Sequence, residues 1–253
     1  MKAFGMKSLS LAVLALAGVG FASATFAVCP TDPAAPNGPW TSKSVLTANL
    51  AITSPGLNGT ACTLQVSLNQ NSTIIAKAFV TDTSPVDEPR YRARLYFDTT
   101  ELVGLDNALK QVPIFTVSSA TSPTATASDE VEAVLIGGAA PSLRILVADS
   151  NQGSKFQSVT VALPVAHGAN RFEFDLTQGT SGSVRYWLTA AATATTDASP
   201  TGTLSVNNSG WSGATQASMG MFSASTQYRV NTPSTQHLYL DEFDSRRQTF
   251  IGQ

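Results

Sequence analysis

Tyr91-Arg92-Ala93-Arg94-Leu95-Tyr96-Phe97-Asp98 decides the fold. Read with the two-residue period of an extended chain, it puts Tyr91, Ala93, Leu95 and Phe97 on one side. Arg92, Arg94, Tyr96 and Asp98 fall on the other. The first side suits a hydrophobic core, and the second is charged and aromatic. The same division recurs in Phe172-Glu173-Phe174-Asp175-Leu176, where the aromatic pair turns inward and the acids outward. In Val184-Arg185-Tyr186-Trp187-Leu188, the residues Arg185 and Trp187 face away from Val184, Tyr186 and Leu188. Strands with one apolar and one polar-aromatic side build an antiparallel sandwich.

Working outward, period-2 alternation continues along the chain and no long helical period interrupts it. Further strands are expected at residues 44–52, 61–68, 73–80, 112–118, 131–138, 142–149, 156–163, 217–224 and 237–243. The pieces between them carry turn-forming residues, as in Pro55-Gly56-Leu57-Asn58-Gly59 and Gln178-Gly179-Thr180-Ser181-Gly182. A helical turn is expected at residues 100–109, where Leu102, Leu105 and Leu109 share a helical face. Residues 189–211, rich in Ala, Thr, Ser, Gly and Asn, read as a long connection with a short strand near 203–206. About a dozen strands at this spacing predict an all-β, two-sheet antiparallel sandwich.

The beginning of the chain supplies an address. Lys2 and Lys7 precede an uncharged apolar stretch at 11–21, and small residues follow at Ala22-Ser23-Ala24 and Thr25-Phe26-Ala27. That is the layout of a secretory signal peptide cleaved after Ala27, too short in its apolar core for the ~20 residues of a spanning helix. Residues 1–27 therefore read as a signal peptide, 28–43 as an extended Pro-rich lead-in and 44–253 as a single sandwich domain. A secreted or periplasmic product with no membrane insertion after signal removal is expected. In such a compartment Cys29 and Cys62 are expected to pair. The loop of about 34 residues that they close is worth about 3–4 kcal/mol by chain entropy. A net charge of −2 with only 13% charged residues argues against nucleic acid or an anionic membrane as partner.

Several segments together carry a resemblance. They are Ala78-Phe79-Val80-Thr81-Asp82, the 91–97 strand, Asn170-Arg171-Phe172-Glu173-Phe174-Asp175, Ser218-Met219-Gly220-Met221-Phe222 and Leu240-Asp241-Glu242-Phe243-Asp244-Ser245-Arg246-Arg247. Their order along residues 60–250 resembles a group of secreted bacterial proteins with a concanavalin-like, laminin-G-like jelly roll. The resemblance implies two curved antiparallel sheets packed face to face, and it brings no activity with it.

Candidate chemistry is sparse. Glu242 and Asp244 could share a strand face, as in laminarinase-like glycoside hydrolases of this fold class. Those enzymes place a further Glu on the same strand, where Ser245, Arg246 and Arg247 stand here. Retaining hydrolysis needs two carboxyls about 5–5.5 Å apart. Packing of Leu240 and Phe243 with Arg246 and Arg247 at the rim is the expectation, and no catalytic residue is assigned. His167 reads as a turn residue and His237 opens the last strand, neither with an acid partner recognisable in sequence. No phosphate loop, His-Glu-x-x-His pair or calcium loop occurs, and no metal or cofactor is assigned. Asp149-Ser150-Asn151, and Asp82 with Asp87-Glu88, are candidate loop ligands for calcium, which some laminin-G-like domains hold; ordinary solvation competes with that reading. The outward Trp187 beside Arg185, together with Trp211, is the candidate ligand-binding set, since an indole with neighbouring donors suits a sugar ring. The sequence thus points first to a non-catalytic module that binds carbohydrate or a cell-surface partner. A structural or adhesive protein is the alternative, and a glycoside hydrolase built on Glu242 and Asp244 ranks third.

Overall fold

In a computed structural model, which describes residues 29–35, 40–69, 75–123, 129–231, 235–246 and 249–252, the alternation at residues 91–98 becomes β5 (Arg90–Asp98). Its inward residues Tyr91, Ala93, Leu95 and Phe97 are all in the core. The segment read as a signal peptide, the Thr73 end of one expected strand, and Arg247 lie outside the described residues. The remaining strands are β1 (Ser42–Leu46), β2 (Ala48–Thr53), β3 (Thr63–Leu68), β4 (Lys77–Asp82), β6 (Gln111–Ser119), β7 (Asp129–Ile136) and β8 (Ser142–Ala148). They continue with β9 (Phe156–Ala162), β10 (Ala169–Thr177), β11 (Gly182–Ala190), β12 (Gly202–Val206), β13 (Ala214–Met221) and β14 (Leu238–Arg246).

These strands form two antiparallel seven-stranded sheets packed as a jelly-roll sandwich. The first runs β1-β4-β13-β6-β7-β8-β9, and the second runs β12-β11-β10-β5-β14-β3-β2. One continuous core lies between them. Phe115 of the first sheet meets Phe174 of the second at 5.7 Å and Phe243 at 6.0 Å between ring centroids. The Cys29–Cys62 disulfide forms and ties the lead-in to the start of β3. Among the described residues no helix is long and apolar enough to cross a membrane. Both facts are compatible with export.

Three local expectations differ from the structure for identifiable reasons. The strand expected at 44–52 breaks at Thr47, whose φ of 50° is left-handed, so β1 joins the first sheet and β2 the second. Residues 100–109 form successive tight turns and not a helix. Asp98 accepts hydrogen bonds from the Thr100 amide and hydroxyl, and Leu102 and Leu105 donate backbone bonds three residues back. Leu102 and Leu105 are buried there and Leu109 is exposed. A six-residue helix, α1 (Thr226–Asn231), instead precedes β14. In β14 itself the register slips between Asp241 and Asp244, with Glu242 at a φ of 46°. This bulge turns Phe243 inward against Trp40 and Phe115 and sends Glu242 outward toward Arg94. Leu240 is fully buried and Phe243 half-buried, and Arg246 is exposed.

Candidate functional site

Strand register arranges the outer side of the second sheet into cross-strand rows about 7 Å apart, two residues along each strand. One row holds Arg185, Asp175, Arg92 and Arg246. The next holds Trp187, Glu173, Arg94 and Asp244, and the third Thr189, Arg171, Tyr96 and Asp241. The fourth holds Asp98, Tyr239 and Gln65. The outward half of the alternation at 91–98 thus becomes the middle column of an extended polar surface.

Charge on this surface is dense and mostly paired. Asp175 accepts two hydrogen bonds from Arg90, at 3.0 and 2.9 Å, and lies 3.6 Å from Arg92 and 3.7 Å from Arg185. Asp197, from the connection after β11, reaches back to Arg92 at 2.6 Å and Arg185 at 3.4 Å. Burial pushes the Glu173 carboxyl up, against hydrogen bonds from the backbone amides of Ile251 and Gly252. Trp187 lies on this face as the alternation requires, but it is only 1% exposed. Its indole donates to the Thr196 carbonyl at 3.0 Å and packs against Phe250, Arg92 and Arg185. Trp211 is buried at a different end of the sandwich, where its amide donates to the Asn208 carbonyl and the next amide reaches Thr121. The two tryptophans are not brought together, whereas Arg185 and Trp187 are.

The fourth row is open to a cleft of about 490 Å³ and carries groups fit for proton transfer. Glu101, from the turns after β5, accepts from His237 Nδ1 at 2.6 Å and from the Tyr239 hydroxyl at 2.8 Å. Gln65 Nε2 donates to the Tyr239 oxygen at 3.2 Å. Burial raises the Glu101 carboxyl, but the hydrogen bonds from His237 and Tyr239 outweigh it and hold the carboxyl below its ordinary value. Burial, reinforced by the Glu101 carboxylate, pushes the Tyr239 phenol up. The phenol is therefore a proton donor at neutral pH. In a neutral imidazole, a carboxylate on Nδ1 selects the tautomer whose Nε2 carries a lone pair. His237 thus has an acid partner after all, 136 residues earlier in the chain. Hydrophobic alternation shows that Tyr239 and Gln65 face outward, but nothing in the sequence pairs Glu101 with His237.

The other sequence candidates take structural positions. Glu242 and Asp244 line an apolar cavity of about 600 Å³ with Trp40, Ile52 and Phe243, but each faces an arginine, Arg94 at 3.6 Å and Arg246 at 2.9 Å. Asp241 accepts from the Leu57 amide at 2.7 Å and from the Thr60 hydroxyl, pinning the 57–59 turn. Asp149 caps the amides of Asn151 and Asn207, Asp82 that of Ser84, and Asp87 that of Gly213. Among the described residues no group of three acidic, His or Cys side chains converges as a metal site.

No protein family and no curated protein matches the chain. Solved structures do. An endo-β-1,4-glucuronan lyase from the fungus Trichoderma reesei superposes with a TM-score of 0.60 at 9% identity, over 83% of this chain and 92% of that one. A mutant of the alginate lyase Aly36B in complex with alginate tetrasaccharide gives 0.57 at 11%, over 83% and 88%. Alginate lyase vAL-1 from a Chlorella virus gives 0.54 at 11%, over 83% and 93%. At such identities the likeness is one of fold. It still corrects the expectation of a non-catalytic module, because glucuronan and alginate lyases are among the structures that match the sandwich over most of both chains. The chain shares the jelly-roll sandwich of carbohydrate-active proteins.

Proposed function

We propose that the protein is an exported carbohydrate-processing enzyme that cleaves an acidic polysaccharide by β-elimination at the open end of the second sheet. The observation that carries this reading is the hydrogen-bonded set Gln65, Tyr239, Glu101 and His237 beside the arginine and tyrosine rows of the same face. Elimination from a uronic acid needs its carboxylate held, the C5 proton removed and the C4 oxygen protonated as it leaves. Arg171 and Tyr96 of the third row, with Arg94 of the second, suit a carboxylate. His237 Nε2 takes the C5 proton, and the C5–H electron pair becomes the C4–C5 double bond as the C4–O bond breaks. Tyr239 turns its O–H from Glu101 to the departing oxygen and gives up that proton, while the Gln65 donor supports the phenolate left behind. Glu101 accepts from both partners at rest and so orients them. The shared fold with glucuronan and alginate lyases supports the substrate class.

The test is incubation of the purified protein with alginate, polyglucuronate, polygalacturonate and neutral glucans, read by the ultraviolet absorbance of the unsaturated product. Product from an acidic polymer is expected, with Tyr239→Phe and His237→Gln each slowing turnover by about 10²–10⁴. Folded protein that yields no product from any acidic polymer, or full activity in Tyr239→Phe, overturns the reading.

A further inference from the structure

Residues 249–252, which follow β14, lie across the first and second rows. The Ile251 and Gly252 amides donate to the two Glu173 oxygens, each at 3.0 Å. The left-handed Gly252, at a φ of 71°, lets these successive N–H groups cradle one carboxylate. Arg94 donates to the Gly252 carbonyl at 2.8 Å, and the Phe250 ring sits 5.2 Å from Trp187 and 5.3 Å from the Arg92 guanidinium. The contacts of the segment with the second row are thus made by two N–H groups, one carbonyl and one ring.

The third row is left with idle hydrogen-bonding capacity. Arg171 is fully buried and donates to the Thr195 hydroxyl at 2.7 Å, yet its Nε and Nη1 have no partner among the described residues. Tyr96, in register with it and also fully buried, has an unpartnered hydroxyl, as does Thr189 on its other side. A buried donor left without a partner is costly, and more so when charged. Apolar side chains would close this face more cheaply. What the segment supplies to the second row is what a pyranose supplies: donors for Glu173, an acceptor for Arg94 and an apolar ring for Trp187. A sugar carboxylate would in addition satisfy the planar donor fork of Arg171, which a backbone carbonyl does not.

We propose that the second and third rows form a subsite for a carboxylate-bearing sugar and that residues 249–252 occupy its second-row half in competition with that sugar. The proposal rests on reading this face as a saccharide site, but it adds an occupant carried by the chain itself. Apparent affinity is then reduced by the fraction of molecules in which the segment is seated.

The deciding measurement is hydrogen exchange of the full-length wild-type protein, with and without a saturating uronic-acid hexasaccharide. The amides of Ile251 and Gly252 are expected to lose protection when the sugar binds. Sugar bound with that protection unchanged overturns the proposal, as does equal displacement by a neutral glucan hexasaccharide. A Phe250→Ala, Ile251→Pro double variant removes the ring and one donor, and should bind the hexasaccharide at least about tenfold more tightly by calorimetry. Unchanged affinity in a variant with an intact melting transition also overturns the proposal. Should that variant not fold, the wild-type exchange measurement still decides. Expulsion of the segment without unsaturated product leaves the subsite standing and removes the lyase reading. Product formed while the segment stays protected does the reverse.

Discussion

The two sheets show opposite outer faces to solvent although both follow the same pleat and register. Across the middle of the first sheet runs a row of Thr81, Ser218, Thr116, Glu132 and Leu146. Three of its five side chains, Thr81, Ser218 and Thr116, are short hydroxyls, and Thr81 and Ser218 spend theirs on each other at 2.9 Å. The corresponding row of the second sheet is Thr189, Arg171, Tyr96 and Asp241. Short hydroxyls that pair laterally finish a surface. Long cationic arms and phenols, held in fixed forks and left partly unpaired, keep donors in reserve, as the proposed site requires. The first face does have acids of its own, Asp129 and Glu132, both pushed up by burial. Among the described residues no hydrogen-bonded base accompanies them in the way that His237 accompanies Glu101.

The sharpest way to break this contrast is to neutralise one group on each face and follow turnover. Tyr239→Phe should lose about 10²–10⁴ in rate, whereas Glu132→Gln should turn over like the wild type. If Glu132→Gln loses the activity and Tyr239→Phe keeps it, catalysis belongs to the first sheet.

Stability gives the next largest contrast. Asp175 is 3% exposed and is shared by Arg90, Arg92 and Arg185, and Arg92 is itself buried. Asp175→Asn leaves those cations without their common anion, a loss of about 3–5 kcal/mol of the kind found when one partner of a buried pair is removed. Glu132→Gln on the other face removes a carboxyl that burial already disfavours as an anion. It should cost less than about 1 kcal/mol or stabilise slightly at neutral pH. Urea unfolding of both variants measures this; equal losses would mean that the charge network is ordinary sheet surface.

Much of this architecture was written plainly in the sequence. The alternation at 91–98, 172–176 and 184–188 assigns each residue to core or outer face, and the inward sets are all buried. The site was only half legible, because its groups belong together by register and not by sequence spacing. Arg94 beside Glu173 and Tyr239 beside Gln65 follow once strand neighbours are known, but β5, β10, β14 and β3 are joined in an order that no local pattern states. Glu101 falls in a segment whose leucine spacing imitates a helix, and turns bring its carboxyl to His237 instead. The bulge at Glu242 defeats parity counting at the very place where paired carboxylates suggested a hydrolase. Trp187 was assigned to its proper face, but its cover comes from residues 196 and 250, nine and 63 positions away.

A pH series sharpens the contrast at a point where the sheets meet. Glu130, at the start of β7, accepts from Gln178 after β10 at 2.6 Å and is fully buried. Burial pushes its carboxyl up to about 8. The sign follows from linkage: in unfolded protein this carboxyl ionises near its ordinary value, while in the fold it stays protonated until about 8. Its stabilising contribution is complete at acid pH and is lost as pH rises between those values, by about 1.4 kcal/mol per unit at most. Glu130→Gln should therefore remove a decline in melting temperature toward pH 8 and gain on the wild type as pH rises. A gap that widens toward acid instead would show that the carboxylate, and not the acid, is the native form.

The smallest expected effect compares the cations that lie over aromatic rings. On the first face Lys77 Nζ lies 5.5 Å from the Phe79 ring, which stacks on Phe222 at 4.5 Å. On the second, the Arg185 guanidinium lies 4.9 Å from Trp187 and also reaches Asp175 and Asp197. An exposed cation over a ring is worth about 0.5–1 kcal/mol. Lys77→Met should therefore lower the melting temperature by no more than about 2–4 °C, the shift that roughly 1 kcal/mol produces in a chain of this size. Arg185→Met loses the ring contact and two carboxylate partners together, and leaves the connection over Trp187 to Arg92 on Asp197, the indole on Thr196 and Arg171 on Thr195. It should cost clearly more and should loosen that connection, which amide exchange around residues 195–197 would report. If the two variants melt alike, the arginines of the second face are no more tightly integrated than a surface lysine, and the distinction between a finished face and a binding one loses its physical basis.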